Sequence, residues 1–447
     1  MSSDLRTALG NDIIFIDDPD VVVSYSQDQA LFAPAGKPLA VVIPRTIEQV
    51  QHIMRFANAN AIPVVARGAG SGLAGGANAI DGCLIISFEK MDSKLEIDSV
   101  NHFARVEPGA INIEIDNEAR KYGLAYLPDP ASREWSTIGG NIATNAGGMC
   151  CLKYGVTANH IRGLKIVLAN GELIEVGSTT KKNVSGLDLL HLFVGSEGTL
   201  GLIVEATLNL VVRPPKSTTF IFTFNNIEQA AGSIAELLKF SPSMLEIVDK
   251  TTLNAVELWQ PIGFDVAGAA VLMQIDRESI DAEYICNRIQ KLGAIDSVYT
   301  HDENETKDFL MVRKLAYPAL ERLGKAMLDD VAVPINRISE FVSKVESMQD
   351  KYRITIGIFG HAGDGNMHPT IVYPPHDTDA EKRALEAFKE IVNLAQDLGG
   401  TTSGEHGIGL IKVDLVKREL SDNILFLQSQ IKKVFDPKGL LNPGKKY

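Results

Sequence analysis

Two hydrophobic periods alternate along this chain. Leu39–Ile43 is an unbroken apolar run of strand length, and after it Ile47, Val50, Ile53, Met54 and Ala57 recur at helical spacing. Thr46 stands at the N-cap of that helix, predicted over Thr46–Asn60, with Glu48 in its first turn. Ile62–Arg67 and Cys83–Phe88 read as further strands, and glycine-punctuated short segments continue to Leu210. At Arg213-Pro214-Pro215-Lys216 the pattern breaks, because two prolines cannot continue a strand. Beyond it Thr218–Phe224, Leu245–Val248, Ala269–Ile275 and Ile295–Thr300 read as strands, with helices at Ile227–Leu238 and Asp281–Leu292. Arg353–Phe359 and Pro369–Tyr373 are two more strands, and helices are predicted at Ala380–Leu398 and Asn423–Phe435. The rhythm predicts an α+β chain whose later part is an antiparallel sheet with helices on one face. Four segments follow from it: a lead-in at 1–37, then 38–213, 214–405 and 406–447.

Composition narrows the class. A chain of 447 residues holds two to four domains at roughly 100–200 residues each. Its 43 basic and 56 acidic residues leave a net charge of −13, which repels phosphate backbones and anionic lipid, so nucleic acid is not an expected partner. Cys83, Cys150, Cys151 and Cys286 form no Cys-x-x-Cys pair, which argues against an iron–sulfur cluster or a cysteine zinc site and for free thiols in a reducing compartment. No basic-then-apolar leader opens the chain, and no run of about 18 apolar residues occurs. The expectation is a cytoplasmic protein without a membrane span, with peripheral contact at the inner membrane left open.

Three glycine clusters carry the first chemistry. Gly70, Gly72 and Gly75 match G-x-G-x-x-G, but the dinucleotide version of that motif must open a helix. Here the loop Gly68–Gly76 runs into Asn78-Ala79-Ile80-Asp81-Gly82 and then a strand, so that reading is rejected. Glycines at this density exceed the needs of one surface turn and let backbone N–H groups converge on an anion, with Ser71 adding a hydroxyl. The second cluster, Ile138–Gly148, is small residues and amides, with Asn141, Thr144 and Asn145 as hydrogen-bonding groups beside a planar ligand. The third is Gly195–Gly201. Three such clusters, none expected to open a helix, point to a long ligand crossing one domain.

A second constellation is His361-Ala-Gly-Asp364-Gly-Asn366-Met-His368 and Gly404-Glu405-His406-Gly407. Asp364-Gly365 signals a hairpin turn, which would let His361 and His368 face each other from its arms. Either histidine alone is explained by a satisfied backbone group. Two histidines flanking a turn, with the carboxylate of Glu405, suit a catalytic divalent metal, Zn²⁺ or Mn²⁺.

These ordered motifs resemble the FAD-binding domain of the vanillyl-alcohol oxidase / p-cresol methylhydroxylase superfamily. Over about residues 38–447 the chain resembles its FAD-dependent D-2-hydroxy acid dehydrogenases, the family of the glycolate oxidase FAD subunit and of the D-lactate and D-2-hydroxyglutarate dehydrogenases. The resemblance implies that 38–213 binds FAD, that 214–405 is the substrate domain and that 406–447 returns to the FAD domain. It assigns Gly68, Ala69, Gly70, Ser71, Gly72 and Leu73 to the pyrophosphate, Pro128, Ser132, Gly139, Gly140, Asn141 and Asn145 to the flavin side, and Gly198 and Ile203 to the adenosine half. Asn442 is assigned to the cofactor as well. No histidine stands in the first glycine loop, so the FAD is expected to be non-covalent.

By the same resemblance His361, His368 and Glu405 bind the metal, His406 is the general base and Arg313 receives the substrate carboxylate. The chemistry is consistent: a metal lowers the hydroxyl pKa, a neutral imidazole takes the proton, and the hydride goes to flavin N5. Relatives acting on a dicarboxylic acid carry a lysine where Leu328 stands here, with Lys325 nearby. That departure favours D-lactate or glycolate over D-2-hydroxyglutarate. A superfamily reductase using NADPH, a metal hydrolase and a non-catalytic FAD subunit each leave one of the two constellations unexplained. The electron acceptor (quinone, cytochrome or electron-transfer flavoprotein) and the choice between a homo-oligomer and a partner subunit stay open.

Overall fold

Thr46 caps the first long helix, Ile47–Ala59, its hydroxyl accepting the Gln49 N–H at 3.3 Å, and the apolar stripe Val50, Ile53, Met54 and Ala57 is fully buried. Each large side chain of such a stripe contributes ~1.5–3 kcal/mol on leaving water. The computed structural model in which this is seen describes residues 2–10, 12–262 and 268–446. The chain falls into two compact units: Met1–Gly147, Gly155–Arg213 and Glu405–Tyr447 in the first, Gly148–Tyr154 and Pro214–Gly404 in the second.

In the first unit β1 (Ile14–Ile16), β2 (Ala40–Ile43), β3 (Val64–Arg67) and β4 (Leu84–Ser87) form a sheet in the order β1-β2-β4-β3. Its β2, β4 and β3 are parallel, which is why they read as continuous apolar runs rather than alternating ones. The following strands are β5 (Leu95–Asp98), β6 (Phe103–Val106), β7 (Leu124–Ala125), β8 (Ile161–Val167), β9 (Leu173–Gly177), β10 (Leu202–Asn209) and β11 (Val211–Val212). An antiparallel sheet runs β5-β6-β10-β8-β9, and β7 pairs with β11. The first glycine loop reaches β4 without a helix, as its sequence predicts.

The second glycine cluster departs from expectation, because Ile138–Thr144 is helical. Two glycines should cost about 1 kcal/mol each in a helix. Tertiary packing overrides that: Ile138 and Ile142 are fully buried, and a Cβ at Gly139 would lie 2.7 Å from Pro108 Cβ. Asn145 ends the helix in the left-handed region at φ +55°.

The second unit is built on one antiparallel sheet of β12 (Thr218–Phe224), β13 (Met244–Asp249), β14 (Ala269–Ile275), β15 (Asp296–Thr300), β16 (Lys325–Leu328), β17 (Val331–Ala332), β18 (Thr355–His361) and β19 (Asn366–Tyr373). The order is β15-β12-β14-β13-β18-β19-β16, with β17 also on β19. The antiparallel sheet is as expected, but the helices are not confined to one side. Helices Lys250–Trp259 and Glu303–Glu321 cover the face of Thr219, Glu246 and Gly357. The opposite face, with Phe220, Phe222, Met273, Ile356 and Ile358, is equally buried, and helices Ile227–Leu237, Ile338–Tyr352 and Thr378–Asp397 form a separate layer on the sheet. Among the described residues no helix is long and apolar enough to cross a membrane.

Asp249 caps helix Lys250–Trp259 by accepting the Thr252 N–H at 2.9 Å, and burial pushes its carboxyl up to about 6. A raised carboxyl holds a proton in the native state that the unfolded chain, near 3.8, releases. This group's contribution to stability therefore falls as pH rises from about 4 to about 6. Asp249→Asn keeps the cap and removes the penalty. Urea unfolding should show the variant ~1–3 kcal/mol more stable at pH 7.5, with a smaller difference at pH 4.5. Equal differences at both pH values would contradict this assignment.

Candidate functional site

The first unit gathers the glycine clusters. Residue 68 must be glycine, since a Cβ there would collide with Thr137 Oγ1. Gly70 stands at φ +76°, and the Arg67 guanidinium fills the space its Cβ would need, donating from Nη1 to Gln27 O at 3.0 Å. Arg67, Gly68, Ala69, Gly109, Ile111 and Thr137 line a cleft of about 320 Å³. In it Thr137 Oγ1 is buried and has no hydrogen-bond partner among the described residues. A glycine cradle beside an orphaned hydroxyl fits a bound polar cofactor.

The remaining residues assigned to the cofactor lie in the same unit, and their polar groups do several different things. Asn141 is turned inward: its Oδ1 accepts from Asn112 Nδ2 at 2.9 Å and its Nδ2 donates to Ser136 Oγ at 3.2 Å. Pro128 O accepts from Asn112 Nδ2 at 3.3 Å, and Ser132 O accepts the N–H groups of Trp135 (2.9 Å) and Ser136 (2.8 Å). Asn145 Oδ1 accepts the Ala158 N–H at 2.8 Å. Gly198 takes φ +71°, and Ile203 is buried in β10. Asn442 Nδ2 donates to Gly76 O at 2.9 Å and Glu197 O at 2.7 Å, joining the first and third clusters. Beside it Lys445 donates to Gly76 O at 3.0 Å and to Asn78 O, and burial pulls its ammonium down to about 8. Glu405 and His406 also belong to this unit. Gly147 leaves room for the Glu405 carboxylate, and His406 Nε2 lies 3.7 Å from Glu405 Oε1.

The second unit brings His361, His368 and Arg313 together. The chain turns through Ala362–Gly365, with Gly365 at φ +84°, and the hairpin pairs Phe359 with His368 and His361 with Asn366. Both histidines thus sit diagonally on one face, with ring centroids 5.1 Å apart and ring nitrogens within 4.8 Å. Arg313, from helix Glu303–Glu321, stacks 4.7 Å over the Phe359 ring. Two acids not singled out in the sequence complete the cluster. Glu246 is fully buried on β13, and accepts from Arg313 Nε at 2.6 Å and His361 Nδ1 at 2.7 Å. Burial alone would raise its carboxyl, but His361 and Arg313 hold it below the usual range. Asp330, also buried, accepts from Asn366 Nδ2 (2.7 Å) and Ser403 Oγ (2.7 Å) and lies 3.7 Å from His368 Nδ1. The signal for Glu246 is a single charge inside the apolar run Met244-Leu245-Glu246-Ile247-Val248. Asp330 carries no such signal. Two ring nitrogens on one rigid face beside buried carboxylates are a donor set that fits a divalent metal.

Comparisons with known proteins match both parts of the chain to FAD-linked families. Residues 38–177 match a family model described as an FAD binding domain, and residues 213–446 one described as FAD linked oxidases, C-terminal domain. The chain is 39% identical over 422 residues to the glycolate oxidase subunit GlcD of Bacillus subtilis, covering 92% of this chain and 89% of that one. It is 37% identical to a D-lactate dehydrogenase of Archaeoglobus fulgidus, with 97% of each chain covered. Its fold is similar to p-cresol methylhydroxylase with substrate bound, at 19% identity and a TM-score of 0.82, over 100% of this chain and 96% of that one.

If the orphaned hydroxyl serves the cofactor, Thr137→Val, which keeps shape and removes one hydrogen bond, should weaken FAD binding about 10-fold with little change in thermal stability of the apoprotein. Titration of FAD fluorescence quenching measures it, and unchanged affinity would show that the hydroxyl does not reach the cofactor.

Proposed function

This chain belongs to the FAD-linked oxidases, and we propose that it oxidises a small D-2-hydroxy acid to the 2-oxo acid, with D-lactate and glycolate ahead of D-2-hydroxyglutarate. The observation that carries the reading is the buried cluster of Arg313, Glu246, His361 and His368, which sets a guanidinium beside two imidazoles. In this reading His361, His368 and Glu405 hold a divalent ion, Zn²⁺ or Mn²⁺, and Arg313 holds the substrate carboxylate. Glu405 and His406 take their roles from the family resemblance and from following Gly404, whose lack of a Cβ lets it lie against Asn366 of the histidine hairpin. His406 accepts the hydroxyl proton as a neutral imidazole. Non-covalent FAD supplies a two-electron acceptor when bound, and the metal supplies the positive charge that makes the hydroxyl acidic.

Leu328 pairs with Thr370, on the face that carries His368, whereas Lys325 pairs with Tyr373 and takes the opposite face. The position that faces the histidines is therefore apolar, and it offers no charge to a second substrate carboxylate. Because the Bacillus subtilis relative is named as a subunit, a partner subunit that passes electrons onward is part of the proposal.

Anaerobic titration of the purified flavoprotein tests the reading. D-lactate or glycolate should bleach the yellow flavin band, and L-lactate should not. His406→Ala should keep the bound FAD and slow that bleaching by about 10²–10⁴-fold. Bleaching by D-2-hydroxyglutarate alone would overturn the size argument, and bleaching by none of these acids would overturn the substrate class.

A further inference from the structure

Glu246 occupies a position where a charge has no local reason to be. Its neighbours along β13 are Leu245 and Ile247, and every residue from Met244 to Asp249 is buried. Burying a carboxylate is unfavourable unless strong donors meet it, and an apolar side chain would avoid the problem altogether. The two donors it has are the two side chains to which the reaction assigns opposite tasks. The pairing of Ile247 with Gly360 and Val248 with Phe359 carries Glu246 to a place opposite His361. Arg313 reaches the same carboxylate from helix Glu303–Glu321.

We propose that Glu246 is the positioning residue that selects the metal-binding tautomer of His361 and fixes which edge of Arg313 meets the substrate carboxylate. The proposal rests on the reading of His361 as a metal ligand and of Arg313 as the carboxylate receptor. Its logic is donor counting. An ionised carboxylate only accepts, so the nitrogen 2.7 Å from it, His361 Nδ1, carries the ring proton. In a neutral imidazole the lone pair is then on Nε2, and a nitrogen must be unprotonated to bind a metal. On the other side, Glu246 Oε2 takes the Arg313 Nε–H at 2.6 Å. The end-on Nη1/Nη2 fork is thereby the edge that can grip a planar carboxylate with two parallel hydrogen bonds. One carboxylate sets both, so the metal and substrate ends of the site cannot be adjusted independently.

Glu246→Gln makes this specific. An amide offers one acceptor and one donor group, and it faces two donors. Arginine does not give up its proton, so the amide oxygen goes to Arg313 and the NH₂ goes to His361. His361 can meet an NH₂ only by moving its proton to Nε2, which blocks metal binding. A merely structural Glu246 predicts no such proton movement.

The test reads the proton directly. The FAD-loaded protein is labelled with ¹⁵N-histidine and stripped of metal, and long-range ¹H–¹⁵N spectra are recorded, with His361→Asn assigning the resonance. Wild type should show His361 protonated at Nδ1 alone, and Glu246→Gln should show it protonated at Nε2. Zinc added to each protein should bind about 10–100-fold more weakly to Glu246→Gln, with the flavin spectrum unchanged. His361 protonated at Nε2 or at both nitrogens in wild type would overturn the proposal, and no variant has to fold for that result. An unchanged zinc affinity in a Glu246→Gln protein whose tautomer has switched would overturn the link to the metal. Wild type with the Nδ1 proton that takes up no zinc would sink the metal reading of the site, while supporting the tautomer assignment.

Discussion

Glu197 is buried at a left-handed φ of +53°, and its carboxylate accepts the backbone N–H groups of Ile408 (2.8 Å) and Gly409 (2.7 Å) and the Lys446 ammonium (3.1 Å). Removing any of these donors would leave a charge without water, at a cost of several kcal/mol. The donors come from more than 200 residues further along the chain, so the constraint fixes long-range architecture rather than a local turn. The Glu197 carbonyl accepts from Asn442, whose amide also donates to Gly76 O. Its N–H donates to Ala143 O. One residue therefore ties the second glycine cluster, the segment after Glu405-His406 and the C-terminal Asn442 to the first glycine loop. The proposed base stands two residues before a backbone held in that way.

The second unit solves a similar problem with a different framework. Its sheet is covered by helices on both faces, so its polar groups face other polar groups or none. Glu246, Asp330, Arg313, His361 and His368 are all buried; strand register, which a one-residue slip would destroy, places Glu246, His361 and His368, and Arg313 reaches them from helix Glu303–Glu321. In the first unit the Glu197 carboxylate and the Asn442 amide bond largely to backbone, and in the second the buried acids bond mostly to side chains. Holding two imidazoles and a guanidinium in register requires such side-chain bonds.

The sequence made visible whatever depends on neighbours along the chain. The Asp364-Gly365 turn foretold the hairpin and hence the meeting of His361 and His368. Thr46 foretold the start of its helix, and the missing helix after Gly76 was legible in Asn78–Gly82. What failed depended on distant contacts. In the helix Ile138–Thr144 the glycine at 139 is required by Pro108, which lies against it from outside the segment, and no local rule contains Pro108. Glu246 meets its partners 67 and 115 residues away, so its isolated charge was readable as an anomaly but its purpose was not. The second helical layer was missed because the rhythm of strands and helices does not say which face of a sheet each helix takes.

Strand parity puts residue 328 on the face of the buried histidines. A lysine placed at 328 would enter a position that is 7% exposed, opposite Thr370 and on the face of His368. Such an ammonium would need a substrate carboxylate or an acid of the protein to offset its desolvation. The buried acids described on that face already have donors: Glu246 with Arg313 and His361, and Asp330 with Asn366 and Ser403. A lysine there would lose its charge or need a further anion, whereas leucine needs neither. The apolar choice at 328 thus sets no second cation beside Arg313 on the histidine face, and this is the constraint that places a monocarboxylic acid first in the proposed function.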